Sequence, residues 1–403
     1  MPDQAHALAL LAEEGWRTLV DAGLAFDEAD GDALRAAMLL AKRRPDAEAA
    51  RRAAALELVS EGARLARKIG VADKLVAVRE AVEQATSGRV ATWHAQQVPE
   101  GARVLEIGCG CGGDSLALAH RAKNLIATDV DPVRAACAHV NLTTTGLATS
   151  RAVPGDGLEM LDGEAKDAEV VFADPDRRAG GRRSLDPEEW RPPLSRLAAL
   201  ARAGRRVLVK AAPSLDADSV AGAFRVTYVS YAGACVEAFL ESPCEDDAVR
   251  AVLLPDDGPS VTLSGDRGDA PSGRIGDALY VPDPAAIRAR LLAELCRRHE
   301  LRLVAPGIAF LTGERGVASP WLAAYEVLNV ANGSQHAAAR CVAERGASDI
   351  RVHARGSRVP VEEIERIHRA HVDAKGGGPV LDLFVARAGG GAVTIVARRE
   401  DGR

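Results

Sequence analysis

The run Val104-Leu-Glu-Ile-Gly-Cys-Gly-Cys-Gly-Gly-Asp114 carries a short apolar strand into an acidic, glycine-rich turn and out into a helix. That order of residue types builds a nucleotide cradle, because glycine lets the backbone turn sharply and lets a ligand press against main-chain atoms. Gly108, Gly110 and Gly112 fall in the turn, and Glu106 precedes them, where a carboxylate can fix a cationic amino group directly or through water. Asp129 closes a second apolar stretch at a distance suited to ribose hydroxyls, and Gly155-Asp156 follows a third, suited to an adenine edge. An amino group, a ribose and an adenine together describe S-adenosylmethionine (SAM), so methyl transfer is the expected chemistry. The residues Gly108 to Gly113 also spell the dinucleotide fingerprint GxGxxG, but nothing comparable to a hydride-transfer acid or a nicotinamide half accompanies it. Asp131, before Pro132, is read as a helix cap rather than a ligand contact.

Methyl transfer is an in-line displacement at a sulfonium, so an enzyme mainly aligns a lone pair with the methyl carbon and moves one proton. Asp174, with its turn set by Pro175, stands after a fourth apolar stretch where it could orient an acceptor nitrogen or oxygen, and Asp176 is a second carboxylate within reach. The catalytic expectation is therefore Asp174, Pro175 and Asp176. The following segment to Arg191 holds five arginines in a glycine-opened loop. Of its residues, Arg177, Arg178, Arg182, Arg183 and Trp190 are the expected substrate contacts, since arginine forks suit phosphates and tryptophan suits base stacking. The bland alternative is a solvated loop paired with Asp186, Glu188 and Glu189. Lys210, closing a fifth stretch, reads either as a substrate contact or as a solvated strand end.

The elements that must position these residues follow from periodicity. Residues 1–95 show apolar positions at helical spacing, with Gly70 a C-cap, Asp46 an N-cap, and Gly23 and Gly31 at turns. From Ala102 short aliphatic strands alternate with helical stretches, the pattern of a parallel sheet with crossover helices. Strands are expected at 103–107, 124–129, 150–153, 168–173, 205–210, 224–231 and 248–254. A connector rich in Gly, Pro, Asp and Ser follows, with an amphipathic helix over 285–298. The tail from 323 reads strand, helix, strand, helix and two strands, with Gly389-Gly-Gly391 turning the last pair. The expected fold is α/β: a Rossmann-like seven-stranded core over 96–255, an N-terminal helical domain over 1–95, a connector over 256–322 and a small α+β domain over 323–403.

The chain holds 403 residues with 47% apolar content and only 14 aromatic side chains, so cores of small aliphatic residues are expected. Seven cysteines without CxxC pairing argue against a disulfide framework or a zinc site, and no metal is expected. With no leader-like start and no apolar run of the roughly 18 residues that span a bilayer, the expected protein is cytoplasmic and off the membrane. A formal charge of −6 excludes a protein coated in positive potential but not a local basic patch.

These segments together resemble a bacterial family of class I SAM-dependent methyltransferases that carry a C-terminal THUMP-like domain. The resemblance rests on Glu83-Gln-Ala-Thr86, Glu106 to Asp114, Asp174-Pro-Asp-Arg-Arg178 with Gly181-Arg-Arg183, Tyr280-Val-Pro-Asp-Pro284, Leu311-Thr-Gly313, Ser319-Pro320 and Tyr325-Glu-Val-Leu. It implies a SAM-binding core and, through the THUMP-like label, RNA binding. Where base N-methyltransferases usually show Asp/Asn-Pro-Pro and an aromatic residue, this loop reads Asp174-Pro175-Asp176-Arg177, leaving Trp190 to supply a stacking face. From Arg340 onward 12 basic residues oppose 9 acidic ones, and Arg351, His353, Arg355 and Arg358 form the best local phosphate-binding candidate. The leading expectation is methylation of a base in a structured RNA such as tRNA or rRNA. A small-molecule or protein methyltransferase and a catalytically inactive RNA-binding protein remain the alternatives.

Overall fold

The computed structural model describes residues 4–12, 15–72, 74–147, 149–179, 182–184, 186–242, 248–333, 335–357, 359–374, 376–388 and 391–400. The chain divides into two compact units. The first comprises Met1–Val226 and Ala238–Asp247, the second Thr227–Glu237 and Ala248–Arg403.

The first unit opens with six helices: α1 (Gln4–Leu11), α2 (Trp16–Glu28), α3 (Ala33–Arg43), α4 (Ala49–Ile69), α5 (Arg79–Gln84) and α6 (Gly88–Gln96). The longest, α4, buries Ala54, Ala55, Leu58, Gly62, Leu65 and Ala66, a stripe at helical spacing. Gly62 on that stripe is required by close approach, since a Cβ there would lie 1.8 Å from the carbonyl oxygen of Leu75. Gly70 ends α4 in the left-handed region at φ 75°, as expected of a C-cap glycine. Two local expectations fail. Asp46 does not cap α4; its carboxylate takes the Arg44 guanidinium at 2.7 Å, and Glu48 occupies the N-cap position. Gly23 lies inside α2 on its buried face rather than at a turn.

The α/β part follows as β1 (Arg103–Ile107), α7 (Gly113–Ala119), β2 (Asn124–Asp129), α8 (Pro132–Thr144), β3 (Ser150–Pro154), α9 (Gly157–Met160) and β4 (Val170–Ala173). Then come the short β5 (Arg178–Ala179) and β6 (Arg182–Arg183), α10 (Leu194–Arg202) and β7 (Arg206–Ala211). β8 (Arg225–Tyr231) leaves the first unit, and β9 (Ala234–Ser242) re-enters it. The first unit's sheet has the order β9-β7-β4-β1-β2-β3, all parallel except β9, which pairs antiparallel with β7. Strand order reverses between β1 and β4, which places a ligand crevice at their carboxyl ends. β9 is missing from the expected strands because Glu237 and Glu241 interrupt its apolar run. The structure accommodates Glu241 by pairing it with Arg206 and Arg225.

In the second unit β10 (Arg250–Leu254) lies parallel to β8, with β11 (Val261–Leu263) antiparallel on its other side. The expected helix over 285–298 is two, α11 (Pro284–Arg288) and α12 (Leu292–His299), broken at Arg290, whose φ is 58°. A seven-stranded sheet follows from β12 (Ala278–Pro282), β13 (Arg302–Ala305), β14 (Ile308–Gly313), β15 (Leu322–Asn332), β16 (Asp349–Arg355), β17 (Val380–Ala388) and β18 (Gly391–Arg399), in the order β13-β14-β12-β15-β18-β17-β16. Helices α13 (Gln335–Glu344) and α14 (Val361–Arg369) complete the tail. The boundary expected at 322/323 therefore runs through one sheet, since β12 pairs with β15 from Ala278↔Glu326 to Pro282↔Leu322. One of its cores gathers Phe310, Tyr325 and Phe384, three of the few aromatics in the chain.

Candidate functional site

The turn after β1 is locked to its neighbours by backbone bonds. Gly108 N and Cys109 N both donate to Thr128 O, at 2.8 and 2.9 Å, and Asp174 N donates to Ile107 O at 2.9 Å. Gly108 and Gly112 adopt φ of 82° and 91°, which only glycine reaches without strain. A Cβ on residue 108 would lie 2.4 Å from the carbonyl oxygen of Asp174, so the two loops touch through backbone.

Glu106 lies under this turn, buried, with Ser115 Oγ donating to its Oε2 at 2.6 Å. Burial pushes its carboxyl up to about 8, against the opposing Ser115 bond. Asp129 is also buried, and its Oδ2 accepts from Gly110 N and its Oδ1 from Asp131 N, both at 2.9 Å. Burial raises this carboxyl, and those two amides oppose the rise. Asp131 caps α8 through Val133 N and Arg134 N. Asp156 is exposed beside Gly155 and caps α9 through Leu158 N at 2.8 Å. A side chain at Gly110 would meet nothing within 4 Å, so the loop's outer face is open. Glycine backbone, carboxylates at the ends of β1 and β2 and an exposed Asp156 fit the parts of SAM.

Asp174 follows β4 with its side chain 35% exposed, Pro175 is buried, and Asp176 is exposed. Backbone bonds join Asp176 to Arg191 in both directions, at 2.9 and 3.0 Å, closing the base of the arginine-rich segment. Within it Arg178 pairs with Arg183 across a two-stranded ladder, and Arg177 is half-buried. The side chains of Arg178, Arg182 and Arg183, and Gly181 altogether, lie outside the described residues.

Trp190 does not offer a stacking face. It is 1% exposed, and its indole N–H donates to Ser184 O at 3.3 Å, so the ring fills the core at the root of the loop. In the second unit His353 is held to buried Asp382 at 2.7 Å and stacks on Phe384, while the Arg355 guanidinium lies 4.6 Å over the Phe310 ring. Arg351 is exposed, and Arg358 lies outside the described residues.

Sequence reading missed a cluster behind Asp174. Lys210 Nζ donates to Asp174 Oδ2 at 2.5 Å, to Asp114 Oδ2 at 2.8 Å and to Thr86 Oγ1 at 2.7 Å. The other Asp114 oxygen meets His94 Nδ1 at 2.8 Å. Burial alone would raise the Asp114 carboxyl, but Lys210 and His94 beside it hold it well below the usual carboxylate range. Asn141, buried on α8, bonds Val76 N and O and Cys111 O, all at 2.9 Å, tying the incoming chain to the glycine loop. Its place on the buried stripe of α8, with Ala135, Cys137, Ala138 and Leu142, was the available signal for it. Among the described residues no three His, Cys, Asp or Glu side chains gather as a metal site, and no helix is long and apolar enough to cross a membrane.

No family model matches the chain. It is 30% identical over 326 residues to an uncharacterised S-adenosylmethionine-dependent methyltransferase of Mycobacterium tuberculosis, recorded for two strains, spanning 79% of this chain and 86% of the relative. A crystal structure from Porphyromonas gingivalis W83, provisionally assigned as a methyltransferase, superposes with a TM-score of 0.74 at 20% identity, covering 88% of this chain and 92% of that one; it supports the fold. The chain belongs to the S-adenosylmethionine-dependent methyltransferases. It is an enzyme, and SAM is its cofactor.

Proposed function

We propose that this enzyme methylates a base in a structured RNA, with Asp174 orienting the acceptor. The observation behind the reading is the close approach of two loops, since a Cβ on Gly108 would lie 2.4 Å from the carbonyl oxygen of Asp174; in this reading the donor methyl and the acceptor-orienting carboxylate share the crevice between them.

In this reading Gly108, Gly110 and Gly112 admit the cofactor against main chain, Asp129 receives ribose hydroxyls on the lone pairs its two amides leave, and Asp156 meets the adenine edge. Glu106 balances the amino group. When bound, SAM supplies a methyl on a positively charged sulfur. Asp174 then holds an acceptor N–H or O–H in line with that methyl and takes or relays its proton, with Asp176 as the second carboxylate. Pro175 fixes the turn.

The arginine ladder supports RNA as substrate. Arg177, Arg178, Arg182 and Arg183 follow Asp174 directly in sequence, where guanidinium forks suit phosphate. We extend the reading to the chain's organisation: a helical N-terminal domain (1–95), a cytoplasmic setting, and a tail serving RNA in the manner of a THUMP-like domain. The net charge of −6 favours a second reading, methylation of a small molecule or protein.

Labelled methyl transfer from SAM into separate pools of cellular RNA, protein and metabolites tests these, with Asp174→Ala as control. Label in RNA that the variant loses supports the proposal. Label in another pool moves the substrate there, and no label with SAM bound favours a binding role.

A further inference from the structure

Asp174 is a third exposed at its side chain, and nothing about an aspartate at the end of a strand fixes its carboxylate by itself. Lys210, at the end of β7, is only 10% exposed and reaches its Oδ2 at 2.5 Å, a charge-assisted bond. The lysine is itself held from two other sides, by Asp114 Oδ2 at 2.8 Å and Thr86 Oγ1 at 2.7 Å, and Thr86 also donates to Asp114 Oδ2 at 2.8 Å. Asp114 is in turn bonded to His94, which is fully buried and stacks on Phe239 with ring centres 5.1 Å apart and planes 13° apart. A flexible four-carbon side chain is thus pinned at its head by groups that run back into a packed aromatic core. Its Nζ donates to three acceptors at once, so Lys210 stands here as a donor.

We propose that Lys210 is a positioning residue that sets the Asp174 carboxylate in its working rotamer, and that Thr86, Asp114 and His94 form the fixed anchor of that lysine. It rests on the reading that Asp174 orients the acceptor. It also assigns a purpose to the segment around α5 and α6: Thr86 and His94 make it a wall of the catalytic site.

The test uses the full-length protein saturated with S-adenosylhomocysteine. Crystal structures of Lys210→Met and Lys210→Arg are compared with the wild type. The Asp174 carboxylate is expected to leave its place in Lys210→Met and to keep it in Lys210→Arg; an unmoved carboxylate in Lys210→Met overturns the proposal. In methyl transfer from SAM into cellular RNA, Lys210→Met is expected to lower kcat about 10- to 100-fold, the cost of a misplaced catalytic group, with the KM for SAM unchanged and with rescue by Lys210→Arg. If the carboxylate moves while the rate holds, Lys210 still positions it and the role given to Asp174 is wrong. Should Lys210→Met fail to fold because Asp114 is left buried beside His94, Lys210→Met/Asp114→Asn removes that charge and is expected to show the same displaced carboxylate; an unmoved one there overturns the proposal equally.

Discussion

Gly108 and Asp174 belong to different loops, yet a methyl group added to the first would sit 2.4 Å from the carbonyl oxygen of the second. No real Cβ contact is that short, and the second atom is backbone, which cannot swing aside. Gly108→Ala is therefore expected to push the two loops apart and to force an unfavourable φ as well. Unfolding stability should fall by more than about 1 kcal/mol, and SAM affinity and turnover should fall together. Calorimetric titration with SAM and a melting curve check this; a variant with wild-type affinity would show that the contact is not needed.

The two aspartates at the ends of β2 and β4 should separate in their effects. Asp129→Ala removes the acceptor of the Gly110 and Asp131 amides and is expected to weaken SAM binding. Asp174→Ala leaves the glycine turn's own bonds in place and is expected to spare SAM binding while depressing turnover. Equal loss of binding in both variants would mean the roles are misassigned.

Glu106 makes stability depend on pH with a definite sign. Its folded carboxyl is raised from 4.5 to about 8, so the folded state holds a proton that the unfolded chain releases. The contribution is complete below about pH 4.5 and is lost as pH rises to about 8, with a slope approaching 1.4 kcal/mol per unit within that window. Urea unfolding of the cofactor-free protein at pH 5.5 and 8.5 should show this loss, and Glu106→Gln should flatten it. The cationic amino group of SAM favours ionised Glu106, so binding at pH 7 should release protons; titrations in buffers of different ionisation enthalpy count them, and Glu106→Gln should release fewer.

Replacing Arg177, Arg178, Arg182 and Arg183 together with alanine is expected to weaken RNA binding and leave SAM affinity alone. Loss of four phosphate contacts would also reduce the salt slope of log affinity by up to about 3 on single-stranded RNA. An unchanged slope would remove the loop from RNA recognition.

The framework of the site was legible because it is local. Strand, glycine turn and helix from Val104 to Asp114 follow one another in sequence, and Gly70 announces the end of α4 by its type alone. What was hidden depends on distant pairs. Lys210 and Asp174 are separated by 36 positions and Lys210 and Thr86 by 124, and a lysine ending a strand looks solvated until its partners are known. β9 escaped because Glu241 reads as exposed until Arg206 and Arg225 are found against it. Trp190 misled in the opposite sense: an aromatic in a basic loop suggests stacking, whereas this indole anchors the loop through Ser184 O.

The chain leaves its first unit after Val226, returns at Ala238 and departs again after Asp247. Neither unit is one continuous stretch, so no single backbone cut can yield the two as separate pieces: a fragment ending at 247 carries residues 227–237 of the second unit, and one beginning at 248 lacks them. Replacing the second unit by simple fusion at 248 would therefore leave residues 227–237 behind. An exchange of the second unit would have to replace both of its segments at once.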